Sequence, residues 1–389
     1  MCGVLALIYP KGCSPSSRQL ERIVNRMSHR GPDGMGVRIS GEIGFAHRRL
    51  AIIDVLDATQ PMVLPSGIKV TFNGEIYNFR ELRSTLVGCG HSFKHDSDTE
   101  VLLHAAEQWG PDCLSRLEGM FSLVVDDPIR GITWAARDRM GQKPLFAFDK
   151  RFFADIEHGF VSELKCILPE QNCNRVVSPN AVSRFLAYDF MPDSDGFFVG
   201  VQKVAPGELW IIDRDNLSKK PIRKKWYNLP FGRLDKVNKH QAIEQLDEQL
   251  DIATQRCMVA DVPLGVFLSG GIDSSLITAY ACRHINPNSL KTFSIGFDNP
   301  AFDESIYAQN VANHLGTKHH NLSVDSSDLL NIVPRILSAQ DEPFADPSII
   351  PTAILSRFAR EEVTVALGGD GGDELFLGYP TFVAENILS

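Results

Sequence analysis

No two of the eight cysteines in this 389-residue chain stand at C-x-x-C spacing, and no cluster of histidines accompanies them in the sequence. A structural zinc site is therefore not expected. The opening MCGVLALIYP has no basic n-region and no small-residue cleavage site, so it reads as a strand rather than a secretion signal. Without such a signal, a disulfide framework is not expected in a chain this long. No segment approaches the ~20 apolar residues of a membrane span. The formal net charge is −9, and the basic footprint of a nucleic-acid binder is missing. These absences exclude nucleic acid and membrane as partners and point to a reducing cytoplasm. What remains, 43% hydrophobic and 22% charged residues, is ordinary globular composition with length for two or three domains.

Two halves differ in pattern. Residues 1–206 give short β-runs at Gly3–Tyr9, Val37–Ile39, Ile43–Ala46, Ile68–Phe72, Phe121–Val125, Ile132–Ala136 and Leu145–Phe148. Helices are expected over Ser17–Met27, Phe79–Leu86 and Thr99–Trp109. Strands in groups with helices between them argue for a layered α+β domain. Residues 207–240, with DRDNLSKKPIRKKW, read as a linker, and its KKPIRKK cluster as solvated surface. From 241 to 389 strands and helices alternate. Strands are expected at Leu264–Leu268, Leu290–Phe297, Asn321–Val324 and Val363–Leu367. Helices fall near 274–283, 304–315, 329–339 and 348–360. That is the pattern of a doubly wound α/β domain with a parallel sheet, whose ligand sits at the carboxyl ends of the strands.

Cys2 directly follows the initiator Met. Removal of Met1 would place a free amine, of pKa about 7.7–8.0, on the same residue as a thiol of about 8.5, so the amine can take the thiol proton without a histidine. Three polar, glycine-bearing runs follow: HRGPDG (29–34), AHRRLAIID (46–54) and FNGEIYNF (72–79). A thiolate attacking an amide needs an oxyanion hole, which Asn73 and the Gly74 N–H can supply. For glutamine as the amide, Arg49 suits the α-carboxylate and Asp98 the α-amino group. The plainer alternatives are a turn for RGPDG, a surface role for Arg49 and a helix N-cap for Asp98.

In the second half, LSGGIDSS (268–275) lies between an expected strand and an expected helix. Glycines there let backbone N–H groups approach phosphate, and Ser269, Ser274 and Ser275 add donors. Asp273 suits Mg²⁺ beside a phosphate. No lysine follows, so this is not a P-loop. ALGGDGGDELFLGY (366–379) places Asp370, Asp373 and Glu374 after the next strand end. By the switch-point rule they face the same crevice as Asp273; an acidic, glycine-rich surface loop is the alternative.

MCG, RGPDG, HRRLAIID, FNGEIYNF, SDTEV, GMFSLVV and RDRMGQKPL, in this order, resemble the class II (N-terminal nucleophile) glutamine amidotransferase domain, with wording most similar to the asparagine synthetase branch. LSGGIDSS, FSIGF, FDES, HLGTKHH and DEPFADPS resemble the ATP-pyrophosphatase-type synthetase domain of the same family. The resemblance implies an αββα first domain with Cys2 as nucleophile and Asn73 and Gly74 as the oxyanion hole. It places Arg49, Asn73, Gly74, Glu75, Asp98 and the backbone of Leu50, Ala51, Ile52 and Ile53 around glutamine. In the second domain it implies ATP on Leu268, Ile295, Gly368 and Gly369, beside the Ser269, Gly270, Gly271, Asp273, Ser274 and Ser275 read from LSGGIDSS itself. Asp273 and Asp373 are implied as Mg²⁺ ligands, with Asp373 carried over from the resemblance. Asp370 is implied as the carboxylate that helps to form an acyl-adenylate.

The implied activity is that of a glutamine-hydrolysing asparagine synthase, a carbon–nitrogen ligase. Ammonia released at Cys2 passes along a dry passage to an aspartyl-adenylate, and a homodimer is left open as the assembly. Gly368-Gly369-Asp370 stands where such enzymes often have Ser-Gly-Glu, and Leu377-Gly378 where a glycine pair precedes the tyrosine. The family's second domain normally runs well past Ser389, so either a fragment or an incomplete synthetase site is expected. A related enzyme acting on a sugar acid or peptide carboxylate, and a truncated glutaminase or regulatory module, are the two alternatives.

Overall fold

The computed structural model describes residues 1–192, 196–230 and 237–388. The chain divides into two compact units, Met1–Arg233 with Gln340–Asp346, and Leu234–Ala339 with Pro347–Ser389.

The first unit runs β1 (Gly3–Ile8), α1 (Ser17–Asn25), β2 (Gly34–Ser40), β3 (Ile43–Arg49), β4 (Met62–Val63) and β5 (Lys69–Ile76). Then come α2 (Phe79–Gly88), α3 (Asp98–Trp109), β6 (Gly119–Asp127), β7 (Ile132–Arg137), β8 (Phe146–Asp149) and β9 (His158–Val161). It ends with α4 (Pro179–Tyr188), β10 (Val201–Lys203), β11 (Glu208–Asp213) and β12 (Ile222–Lys225). The strands form two six-stranded sheets, ordered β10-β8-β9-β1-β3-β2 and β12-β11-β7-β6-β5-β4, with every pairing antiparallel.

Why the sheets stack is legible in β1. GVLALI has no polar residue, and all six positions are buried, because each face of the strand has a cover. Val4, Ala6 and Ile8 join Phe45, Val124, Ala135 and Trp210 in the core between the sheets. Leu5 and Leu7, on the opposite face by the two-residue period, pack with Leu20, Ile23 and Val24 of α1. Helix α3 covers the other sheet through β5 and β4, and α2 packs on α3. The result is the αββα sandwich that the resemblance implies.

Two readings of the sequence are corrected. Residues 207–230 are not a linker: β11 pairs with β7 and buries Trp210 and Ile212, and β12 edges the sheet. Its lysines, with Arg223 paired to Glu208 at 2.8 Å, protect that edge in the usual charged manner. Of the remainder of that linker, 231–236 lie outside the described residues, and Lys239 and His240 already belong to a helix. Secondly, DEPFADPS (341–348) is not wholly part of the second unit. Asp341 accepts from the Lys165 amide at 2.7 Å and Glu342 from the Phe197 amide at 3.1 Å, so Gln340–Asp346 belongs with the first.

The second unit comprises α5 (Lys239–Cys257), β13 (Leu264–Phe267), α6 (Ile272–His284), β14 (Lys291–Phe297), α7 (Ser305–Leu315), β15 (Lys318–Val324) and α8 (Ser326–Ala339). After the excursion follow α9 (Ile349–Arg360), β16 (Val365–Leu367), α10 (Gly372–Phe376) and α11 (Pro380–Leu388). Its sheet is parallel throughout, in the order β15-β14-β13-β16. The chain steps outward from β13 to β15 and then returns to the other side of β13, so the switch point lies between β13 and β16.

Phe45 is fully buried between the two sheets of the first unit. Phe45→Ala is expected to lower unfolding stability by about 3–5 kcal/mol in denaturant titration.

Candidate active sites

At the start of β1, the Cys2 main-chain nitrogen donates to Asn73 Oδ1 at 2.9 Å, tying the first sheet to β5 of the second. This fixes the amide of Asn73. Its Nδ2, in a side chain 1% exposed, then has no hydrogen-bond partner among the described residues. A buried, unmatched donor is costly unless something occupies it, and an oxyanion would. Gly74 follows on the strand, opposite Phe121. A side chain there would run into the Met120 carbonyl and lie 2.7 Å from Phe121 Cα, so the backbone must be bare at this position.

The thiol is held by the β3–β4 loop. The Leu50 amide lies 3.3 Å from Cys2 Sγ, which in turn lies 3.6 Å from the Leu50 carbonyl. Burial pushes the thiol pKa up, opposed by the Leu50 hydrogen bond and the chain's N-terminal charge. The loop is anchored by Asp33, whose carboxylate accepts from the Ala51 amide at 2.9 Å, while the Asp33 amide donates to Arg49 O. RGPDG is thus a turn that braces the loop around the thiol. Gly31 within it lies directly against the Arg48 carbonyl, leaving no room for a side chain.

Glu75 and Asp98 form a second feature. Burial pushes Asp98 up to about 6, against hydrogen bonds from Ile76 and Thr99. Burial, then the Asp98 charge, raises Glu75 well above the usual carboxylate range. Neither has an ion pair within 4 Å among the described residues; Lys143 and Arg49 lie near enough only to temper the charge. Two desolvated carboxylates without a cation make a receptor for an ammonium group.

Sequence reasoning placed Cys2, Asn73, Gly74, Glu75, Asp98 and Leu50 together, and the structure does so. Ala51 and Ile53 are buried in the same loop and Ile52 is half-buried. One plainer alternative falls, and the free guanidinium expected of Arg49 is corrected. Asp98 is not the helix cap; Ser97 is, accepting from the Thr99 amide, which leaves Asp98 in the first turn of α3. The Arg49 guanidinium is not a free fork: it donates to the carbonyls of Ile53, Asp54 and Val55 at 2.5–3.1 Å and so shapes the loop.

Four positions went unassigned. Arg30 donates to Cys2 O at 2.8 Å and pairs with buried Glu163 at 2.9 Å. Asp138 accepts from the amides of Phe121, Met140, Gln142 and Lys143, folding RDRMGQKPL so that Lys143 stands near Cys2 and Glu75. Arg30 and Lys143 stand inside quoted motifs, whereas Glu163 carries no local signal.

In the second unit, the ends of β13 and β16 border a cavity of about 900 Å³. Gly270, at φ +85°, abuts the Tyr307–Ala308 backbone. The hydroxyls of Ser269 and Ser274 meet at 3.0 Å, and Ser275 Oγ is buried without a partner among the described residues. A Cβ on Gly369 would lie 3.0 Å from the Ser274 amide, and one on Gly372 would lie 2.5 Å from Asp273 Cγ. The two glycine-rich loops therefore face each other closely around the Asp273 side chain, with no room for a side chain on Gly369 or Gly372. Asp273, Asp370, Asp373, Ile295 and Gly368 all line the cavity. Leu268 lines it too, but its side chain packs on Ala308 and Ala312, so only its backbone is available to a ligand.

The glutamine amidotransferase domain family matches residues 1–227, and the asparagine synthase family residues 245–389. Over 386 residues the chain is 34% identical to asparagine synthetase (glutamine-hydrolyzing) 1 of Bacillus subtilis, covering 97% of this chain and 59% of that protein. It is 33% identical to the "putative asparagine synthetase (glutamine-hydrolyzing) 2" of Methanocaldococcus jannaschii, covering 98% of this chain and 76% of that one. A solved glutamine phosphoribosylpyrophosphate amidotransferase from B. subtilis has 16% identity and a TM-score of 0.41, covering 83% of this chain and 81% of its own. Likeness that low carries no conclusion about the chain. The chain belongs to the glutamine-hydrolysing asparagine synthetase family. It spans 59–61% of the length of the first relatives it matches.

A carboxylate whose folded pKa is raised stabilises the fold fully below its unfolded pKa of about 3.9, and that contribution is lost as pH rises through the folded value. For Asp98 the window runs from about 4 to about 6. Asp98→Asn should therefore stabilise the ligand-free protein at pH 8 by roughly 1–3 kcal/mol, with the gap closing toward pH 4. Denaturant unfolding at the two pH values measures it, and a variant less stable than wild type at pH 8 would contradict the unmatched pair.

Proposed function

We propose that the chain hydrolyses glutamine at Cys2 and uses the ammonia to amidate an ATP-activated carboxylate, with aspartate as the acceptor and asparagine as the product. The observation that carries this reading is the convergence, at one strand end, of a thiol, a fixed but unpartnered amide donor and an unmatched pair of carboxylates. Glutamine offers a group for each. Its amide carbon goes to Cys2 Sγ, its amide oxygen to Asn73 Nδ2 and the Gly74 N–H, and its α-ammonium to Glu75 and Asp98.

In the step proposed, the Cys2 nitrogen, freed as an α-amine by loss of Met1, takes the thiol proton. Sulfur attacks the amide carbon, the oxyanion gains its donors, and ammonia leaves with a proton returned by the amine. Water then cleaves the thioester and releases glutamate. Asn73 Oδ1, already 2.9 Å from the Cys2 nitrogen, holds that amine in place.

For the second unit, the facing glycine loops, the serine hydroxyls and the α6 N-terminus fit a nucleotide's phosphates. Asp273 and Asp373 are the residues that would hold Mg²⁺, which when bound offsets charge on the leaving pyrophosphate. A carboxylate oxygen displaces pyrophosphate at the α-phosphorus, and ammonia then displaces AMP. Asp370, exposed and lining the cavity, is the carboxylate that would act on the reacting groups. No helix of the described residues is long and apolar enough to cross a membrane.

Cys2→Ala should abolish glutamine-dependent amide formation yet keep activity with ammonium chloride. AMP and pyrophosphate release should depend on aspartate and not on a panel of sugar acids and peptides. Glutamine use by the Cys2→Ala protein would overturn the first half. Release driven by another carboxylate would reassign the acceptor. Glutamate formation with no AMP under any condition would leave only the glutaminase.

A further inference from the structure

One cluster lies away from both sites. Helix α2 ends in a tight motif: Gly90, at φ +95°, donates its amide to Val87 O, and the His91 amide reaches back to Leu86 O at 3.0 Å. This paired C-terminal closure fixes where His91 leaves the helix. Across from it, α3 presents His104 and Glu107, three residues apart on one face. His91 Nδ1 stands 3.0 Å from His104 Nδ1 and 3.4 Å from Glu107 Oε2, and His104 Nδ1 stands 3.5 Å from the same oxygen.

The proton inventory makes this triangle unusual. Gln108 Oε1 lies 2.9 Å from His91 Nε2, and the neutral tautomer that donates to it leaves His91 Nδ1 with a bare lone pair. Glu107 also only accepts. His104 is 7% exposed, and its Nε2 has no hydrogen-bond partner among the described residues; the nearest carboxylate oxygen, on Glu100, is 4.0 Å away. Three atoms able to act as electron-pair donors, His91 Nδ1, His104 Nδ1 and Glu107 Oε2, thus converge within 3.5 Å of one another.

We infer that His91, His104 and Glu107 bind a zinc-type divalent transition-metal ion through His91 Nδ1, His104 Nδ1 and a Glu107 oxygen. Bonds of 2.0–2.2 Å at tetrahedral angles set ligand atoms about 3.3–3.5 Å apart, close to the spacing observed. Two imidazoles and one carboxylate favour zinc, cobalt or nickel over magnesium or calcium. The Glu107 side chain, 25% exposed, and that of His91, 12% exposed, give the ion entry and leave its fourth position to water. Gln108 supports the His91 ring from behind, and Phe93 packs edge-on against the His104 ring at 4.7 Å. The bound ion would clasp the α2–α3 connection to α3.

The test uses the full chain after chelator treatment, titrated with zinc chloride by calorimetry and with cobalt(II) as an optical probe. The expected result is one ion per chain at micromolar affinity or tighter, with a tetrahedral cobalt spectrum lacking a thiolate charge-transfer band. His91→Asn and Glu107→Gln, both partly exposed and so tolerant of change, should each weaken binding at least tenfold while circular dichroism stays that of wild type. Absence of saturable binding, a weakening short of tenfold in either variant, or a thiolate band from Cys2, Cys13 or Cys89 overturns the assignment.

Discussion

The hydrogen bond from the Cys2 nitrogen to Asn73 Oδ1 is the constraint on which the first site depends. It joins the two sheets at the point where chemistry is proposed. It holds the nitrogen that would serve as base, and it turns the other end of the same amide into an unsatisfied donor. The long core between the sheets sets the distance that this bond spans. β1 is buried on both faces, so Cys2 has little freedom to move along or across it.

Around that point the protein leaves polar groups unmatched instead of satisfying them. Asn73 Nδ2 has no partner among the described residues, and Glu75 and Asp98 have no ion pair there. Each omission costs stability in the ligand-free state, and each fits one group of the proposed substrate. Elsewhere in the same unit comparable charges are paired: Lys69 with Asp126, and Arg30 with Glu163. The second unit follows a different logic. Its cavity is bordered by two glycine-rich loops, and glycine is required there because a Cβ on Gly369 or Gly372 would lie 3.0 Å or less from Ser274 or Asp273.

Much of this was legible in the sequence because period and motif coincide. The layered α+β and doubly wound folds follow from short β-runs and β–α alternation, the αββα arrangement from the family resemblance, and most expected element boundaries fall within a few residues of those observed. β11 was missed because ELWIID lies beside the charged DRDNLSKKPIRKK stretch, whose composition reads as solvent; only the pairing with β7 shows that Trp210 and Ile212 are core. Asp138, though inside RDRMGQKPL, acts through backbone amides that composition does not reveal, and Glu163 acts through a distant arginine that no local pattern announces. The His91–His104–Glu107 triangle was invisible for the same reason: its members meet only when α2 and α3 pack.

The most direct measurement is intact mass and peptide mapping after treatment with a diazoketone analogue of glutamine. The account predicts a single adduct on an N-terminal peptide that begins at Cys2, with Met1 gone, and protection from labelling by glutamine. An adduct on another residue, or full labelling of a chain that still carries Met1, would contradict it.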